Sequence, residues 1–273
     1  MSKYRYAIIV PNYNNDHGDY KGKTFLVNCI ESILNQTYKN FKLIIVDDMS
    51  DDTSMKTLKE YKKLDDRIVL IRNMRKRYNG GSRNVGIEYA LEHCIFQYFC
   101  FLDSDDWWKY DDVLETIDKN LDNHELMTLG CEMLRSAGNY YKVNNKPNCY
   151  EDLWSLNGKV WCTAWDKVIR RDKIKFFCED TLMEDRVWTY KIVDDINYDK
   201  VTSLPRIVYV WNQLNSTSVT KKQGDIWNYS SYCHLGHCRH FLSTIKHKEM
   251  IPILEERLKK LEDDMREGVY YQA

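Results

Sequence analysis

Through the first 125 residues, short apolar runs alternate with stretches of helical spacing. Residues 5–10 form an apolar run with β-branched positions that stops at Pro11-Asn12-Tyr13-Asn14-Asn15, the turn chemistry that follows a buried strand. Phe25, Leu26, Cys29, Ile30, Ile33 and Leu34 then recur at helical spacing, and residues 41–46 give a second strand ending at Asp47-Asp48. The pattern continues with a polar helix over 55–63, a strand over 68–71, a glycine turn at Gly80-Gly81, a helix over 82–92 and a strand over 98–102. Such alternation predicts a mostly parallel sheet with helices on both faces. Ligands of such sheets gather at the carboxyl ends of the strands, where right-handed crossovers bring successive loops to one edge.

Beyond residue 125 the pattern loosens. Strands are predicted over 126–134, 140–143 and 207–211, helices over 150–156, 184–193, 226–242 and 250–267, and an irregular aromatic segment over 160–170. No internal repeat or low-complexity linker is visible. The chain divides softly into residues 1–125, 126–220 and 221–273, the last a small helical region.

Composition narrows the class. The 273 residues, 43% hydrophobic and 13% aromatic, support a substantial core. Lys+Arg 40 against Asp+Glu 41 leaves a net charge of -1, so no global basic field recruits nucleic acid or an anionic membrane. Lys3 and Arg5 precede too few apolar residues for a secretory signal, and no run approaches the roughly 18 apolar residues of a membrane span. Nine cysteines without such a signal are read as reduced thiols of a cytoplasmic protein.

The candidate chemistry begins where the last of the early strands stops, at Phe101-Leu102-Asp103-Ser104-Asp105-Asp106. Carboxylates packed this closely repel one another unless a cation neutralises them. Hard oxygen ligands at a strand end suit Mg²⁺ or Mn²⁺ shared with a substrate's phosphate oxygens. The same composition also caps a helix before Trp107, and the cluster alone leaves both readings open. Two further polar constellations at predicted strand ends, 11–15 and 47–52, favour the shared ligand.

Further motifs follow in order: Gly81-Ser82-Arg83-Asn84-Val85-Gly86, Trp161-Cys162-Thr163-Ala164-Trp165-Asp166-Lys167, Thr181-Leu182-Met183-Glu184-Asp185-Arg186 and Tyr209-Val210-Trp211-Asn212 with its trailing serines. Together with Ile8-Ile9-Val10-Pro11-Asn12-Tyr13-Asn14 and Ile44-Ile45-Val46-Asp47-Asp48, they resemble the family 2 glycosyltransferases from about residue 6 to residue 220. The resemblance implies an α/β GT-A (Rossmann-like) fold and a nucleotide-diphospho-sugar donor. It places Pro11, Tyr13 and Asn14 in the nucleotide loop and makes Asp48, ahead of Asp47, the acceptor of the base's ring N–H, which suggests UDP. Gly81 and Arg83 would lie near phosphate, Asp103 and Ser104 near the nucleotide, and Asp103 and Asp105 on the metal, with Asp106 near sugar hydroxyls. Trp165, Lys167 and Glu184 would line the acceptor side, and Asp185 would be the catalytic base. Each motif also has an ordinary reading: residues 47–53 as a helix cap, Arg83 as a surface residue of a helix start, Trp161 and Trp165 as core, and Glu184 and Asp185 as complements to a helix dipole.

Two departures from the family pattern stand out. Asn212 occupies the place of a usual Arg, which removes a bidentate phosphate contact that Lys221 or Lys222 would have to supply. Residues 16–23 lengthen the first loop and are candidates for donor or acceptor specificity. A Cys233-His234-Leu235-Gly236-His237-Cys238 cluster offers ligands four apart, but no second pair with zinc-finger spacing follows, and it is left outside the site.

The leading expectation is an inverting, metal-dependent enzyme moving a hexose from a UDP-sugar to a hydroxyl acceptor, with a surface glycan as the expected acceptor. Lys246, Lys248, Arg257, Lys259 and Lys260 offer peripheral contact with an anionic membrane, but Glu249, Glu255, Glu256 and Asp263 interleave them as on a solvated helix. The alternatives are a hydroxylated DNA base as acceptor, contacted through Lys221, Lys222, Arg239 and Lys246, or a nucleotide-sugar-binding protein whose catalysis has decayed. A nucleotidyltransferase is disfavoured because the first loop is neither glycine-rich nor basic.

Overall fold

Strand β1 (Tyr6–Asn12) is buried along its whole length, and its side chains alternate between two apolar layers. Tyr6, Ile8 and Val10 join one layer with α1 (Phe25–Leu34), α2 (Ser54–Leu64) and α4 (Val113–Leu121); Ala7 and Ile9 join the other, with Ile87 and Ala90 of α3 (Asn79–His93). A strand covered on both faces has no polar side, which is why its sequence is a continuous apolar run. The computed structural model describes residues 4–75, 78–136, 140–143, 150–154, 161–217 and 225–267.

The remaining elements are β2 (Phe41–Asp47), β3 (Ile68–Arg72), β4 (Tyr98–Phe101), β5 (Trp107–Trp108), β6 (Leu126–Leu134), β7 (Tyr140–Val143), α5 (Tyr150–Leu153), β8 (Lys167–Arg170), α6 (Glu184–Val193), β9 (Val201–Asn212), α7 (Asp225–Thr244) and α8 (Ile251–Arg266). They build one sheet in the order β3-β2-β1-β4-β8-β6-β9-β5, with β7 attached to β6. The four strands of the strand-helix alternation are parallel. β8 then pairs antiparallel with both β4 and β6, while β9 runs parallel to β6 and carries β5 on its other edge. The carboxyl ends of β2, β1 and β4 therefore lie side by side.

Several elements differ from expectation. α3 begins at Asn79, so Gly80 and Gly81 form its first helical turn and not a turn before it. Gly80 is the position that requires glycine: a Cβ there would meet the Cys178 carbonyl oxygen at 2.2 Å and Glu184 Cβ at 3.3 Å. Residues 167–170, expected to be irregular, form β8, because a four-residue strand with charged ends shows too little alternation to be recognised. The acid cluster leads into the short strand β5, not a helix cap. β9 begins at Val201, well before the apolar run that revealed it, since Ser203, Pro205 and Arg206 interrupt the pattern.

Candidate active site

Asn12, at the end of β1, donates from Nδ2 to Asp47 Oδ1 across 3.0 Å. Asp47 also accepts from the Ser50 N–H (3.1 Å) and hydroxyl (2.6 Å), so this fully buried acid has no face left for a ligand. Asp48, next along, accepts from Asn73 Nδ2 (2.7 Å) and from the Tyr78 N–H (3.0 Å). Pro11 is buried in β1, whereas Tyr13 is exposed just past its end. Asn14 ties the first loop to the second: its N–H donates to Ser50 Oγ (3.0 Å) and its Oδ1 accepts from the Asp51 N–H (2.9 Å). Asn14, Met49 and Tyr78 all have positive φ, at 50°, 62° and 102°. Backbone strain of this kind collects at functional edges, where the surroundings hold it in place.

Arg83 is the centre of the site. Gly80 lets the start of α3 lie against the Cys178–Glu184 backbone, which brings the guanidinium beside the start of α6. Only 1% of its side chain is exposed. Nη2 donates to Asp103 Oδ1 at 2.6 Å, and Nη1 donates to Glu184 Oε1 at 2.7 Å and Asp185 Oδ1 at 3.0 Å. One cation thus joins the acid turn after β4 to the two acids that open α6. Asp103 and Asp185 stay partly accessible, at 26% and 23%. Burial and Asp103 raise the pKa of Asp185, while Arg83, Lys167 and a backbone hydrogen bond from Ala164 hold it down. Burial, together with Asp185, pushes Glu184 up.

In the acid turn, Ser104 is buried and its hydroxyl accepts from Asn15 Nδ2 at 2.7 Å. Asp105 Oδ2 accepts from Asn215 Nδ2 at 2.7 Å. Burial and Asp103 lift the Asp105 pKa to about 6 against that hydrogen bond. Asp106, expected near sugar hydroxyls, is instead buried and accepts from the Tyr209 hydroxyl and the Asn212 N–H, each at 2.7 Å. Its carboxylate anchors the end of β9 beneath the turn.

The acceptor-side expectations need correction. Lys167 has a fully buried side chain whose ammonium donates to Trp161 O (2.7 Å), Thr163 O (2.7 Å) and Asp166 Oδ1 (2.6 Å). With its hydrogen-bonding capacity spent inside the protein, it acts on Asp185 by field and not by touching an acceptor. Trp165 is 3% exposed, and its ring stacks on Tyr209 with centroids 4.4 Å apart. Glu184 is buried against Arg83, so it positions that guanidinium. Gly81 is buried within α3, and the close approach made there is that of Gly80 to the Cys178 carbonyl. Asn212 Nδ2 donates to the Asp105 carbonyl at 2.9 Å, a clamp on the turn in place of a phosphate contact. Lys221 and Lys222 lie outside the described residues. In the cysteine-histidine cluster, His234 and Cys238 face each other in the interior at 3.4 Å, while His237 turns to Asp180 at 2.5 Å. Asn73 was not singled out from sequence; Tyr209 and Asn215 lie in the stretch from 209 that resembles a family loop, but no role was assigned to either.

The donor set suits a hard divalent cation. Asp105 is a carboxylate raised by burial and like charge, the condition a cation relieves. Among the described residues no group of three or more His, Cys, Asp or Glu side chains is arranged to hold a metal ion. Asp103 and Asp105 would therefore hold the ion as a pair, with substrate phosphate and water completing the shell, a usual arrangement for Mg²⁺.

The chain is similar to known proteins in sequence and in fold. The chain is 33% identical over 147 residues to glycosyltransferase GlyA of Streptococcus pneumoniae, covering 53% of this chain and 18% of that one. It is 33% identical over 145 residues to the Escherichia coli UDP-Glc:alpha-D-GlcNAc-diphosphoundecaprenol beta-1,3-glucosyltransferase WfgD, covering 53% and 49%. The chain thus spans less than half the length of either relative. A fragment of S. aureus TarS in complex with UDP-GlcNAc has the same fold, with a TM-score of 0.64 at 14% identity over 98% of this chain and 93% of that one. The mannosyltransferase PcManGT of Pyrobaculum calidifontis, in complex with GDP-Man and Mn²⁺, gives 0.61 at 16% over 94% and 70%. Residues 7–176 match the family described as Glycosyl transferase family 2, and with a GT-A sheet carrying its acids at one edge, the chain belongs to that family.

Proposed function

We propose that the chain is an inverting, divalent-metal-dependent glycosyltransferase that moves a hexose from a UDP-sugar to a hydroxyl of a surface-glycan precursor. The observation that carries the reading is the Arg83 guanidinium, which contacts Asp103 at 2.6 Å and Asp185 at 3.0 Å. Through it, the acid of the donor turn and a partly accessible acid of α6 meet at one guanidinium. Asp185 takes the proton of the acceptor hydroxyl as that oxygen attacks the anomeric carbon opposite the leaving diphosphate. Its raised pKa makes it a stronger base, and Arg83 keeps it oriented. Mg²⁺ or Mn²⁺ held by Asp103 and Asp105 would stabilise the charge developing on the departing nucleoside diphosphate.

UDP is favoured by Asp48 at the nucleotide edge, by the UDP-Glc of the WfgD name and by the UDP-GlcNAc bound to TarS. A glycan acceptor is supported by the acceptor in that name and by similarity to a poly(ribitol-phosphate) beta-glucosyltransferase of Bacillus spizizenii, 30% identical over 193 residues. No helix among the described residues is long and apolar enough to cross a membrane. The glycan acceptors in the relatives' names favour the glycan reading over a hydroxylated DNA base. Incubation with Mn²⁺ and UDP-glucose, UDP-galactose, UDP-GlcNAc or GDP-mannose tests the proposal. Slow UDP release from at least one UDP-sugar, abolished by Asp105→Asn, is the expected result; tight nucleotide binding without any release would point to a decayed binding protein.

A further inference from the structure

The lengthened first loop is built onto the acid turn. Tyr20 stacks on Trp107 with ring centroids 4.7 Å apart. Asp16 accepts from the Thr24 and Thr57 hydroxyls at 2.8 and 2.7 Å. Gly18 has φ 74°, and a Cβ there would meet the Phe25 ring at 2.3 Å, so glycine alone lets the loop lie this close. The stretch after β9 reaches the same place from the far end of the chain. Asn215, 1% exposed, donates from Nδ2 to Asp105 Oδ2 (2.7 Å) and to Asn15 Oδ1 (3.1 Å). Its Oδ1 accepts from the Thr217 N–H (3.0 Å) and hydroxyl (2.8 Å) and faces His17 Nε2 at 3.2 Å. Asn15 in turn donates to Ser104.

One carboxamide therefore joins two loops 200 positions apart at a single carboxylate. Both its donors and its acceptor are used, so neither Asp nor Leu, of similar size, reproduces the arrangement. We propose that Asn215 is a positioning residue for the donor site, setting the orientation of Asp105 toward the cation and coupling it to the lengthened first loop. The inference rests on the reading of Asp105 as a metal ligand. Asn215 acts through Asp105, and Asn15 acts through Asn215.

Calorimetric titration of the whole chain with UDP, with and without Mn²⁺, tests it. Wild type is expected to gain UDP affinity from Mn²⁺. Asn215→Ala should lose about tenfold of that gain, the worth of one hydrogen bond to a charged group, while Mn²⁺-free UDP affinity stays at the wild-type value. Equal losses with and without Mn²⁺ would mark a merely structural role and overturn the proposal. Where Asn215→Ala does not fold, Asn15→Ala decides: a smaller loss confined to the Mn²⁺ arm supports the coupling, and unchanged binding overturns it. Asp105→Asn separates the two claims. An intact Mn²⁺ gain in that variant sinks the metal reading itself, whereas a lost gain there beside an intact one in Asn215→Ala sinks only the positioning role.

Discussion

Arg83 meets three carboxylates with one positive charge, and geometry decides what it does. A guanidinium can hold Asp103 with one nitrogen and Glu184 and Asp185 with another; an ammonium is a point charge that cannot span them. Arg83→Lys should therefore lower kcat/KM by about 100-fold or more and cost about 3 kcal/mol of stability, since a shorter point charge cannot reach all three and leaves at least one carboxylate without its hydrogen-bonded partner. Steady-state kinetics and urea unfolding would measure the two effects. Asp185→Asn should lower kcat by ~10²–10⁴ while UDP binding, read by titration, stays unchanged. The base works as the carboxylate, and burial with Asp103 raises its pKa. Activity should accordingly rise with pH through an acid limb lying above the ~4 of a free aspartate. A plot of log kcat against pH with no limb above that value would remove Asp185 from the role.

At the level of elements, the site depends on how closely the start of α3 approaches the segment before α6. The 2.2 Å a Cβ would make with the Cys178 carbonyl leaves no room for a side chain at Gly80. Gly80→Ala should displace α3, cost about 1–3 kcal/mol and move Arg83 off its acids, so thermal unfolding and activity fall together. β8 contributes differently. Its first residue, Lys167, pairs with Asp166 in the interior, and its charge holds down the pKa of Asp185. The family resemblance pointed to this residue, but spacing alone could not tell a lysine facing the cleft from one that caps carbonyls inside. Asp106 is a similar case, a third acid of the turn whose hydrogen bonds to Tyr209 and Asn212 pin β9 under the site.

Across the whole molecule, the sheet concentrates carboxylates at one edge at a cost in stability. Asp105 has its pKa raised to about 6, so the folded protein holds this proton more tightly than the unfolded chain does. By linkage, stability is lost as pH climbs from the ordinary aspartate range through that value. Asp105→Asn should therefore stabilise the metal-free protein at neutral pH by about 1–3 kcal/mol and raise its thermal midpoint, while removing metal-dependent UDP binding. Differential scanning in EDTA checks the first effect, and a lowered midpoint would show that the turn needs the charge for its own hydrogen bonds.

The parallel half of the fold was legible because buried strands and amphipathic helices write their periods into neighbouring residues. Asp48, Asp103 and Asp105 stood out as polar residues where apolar runs stop, and the family resemblance supplied the roles expected of them. β8, the early start of α3, the inward turn of Lys167 and Asp106, and the meeting of Asn215 with Asp105 left no such trace. Each depends on contacts between segments far apart in the chain, and side-chain direction in those contacts is settled by packing against partners that local periodicity does not encode.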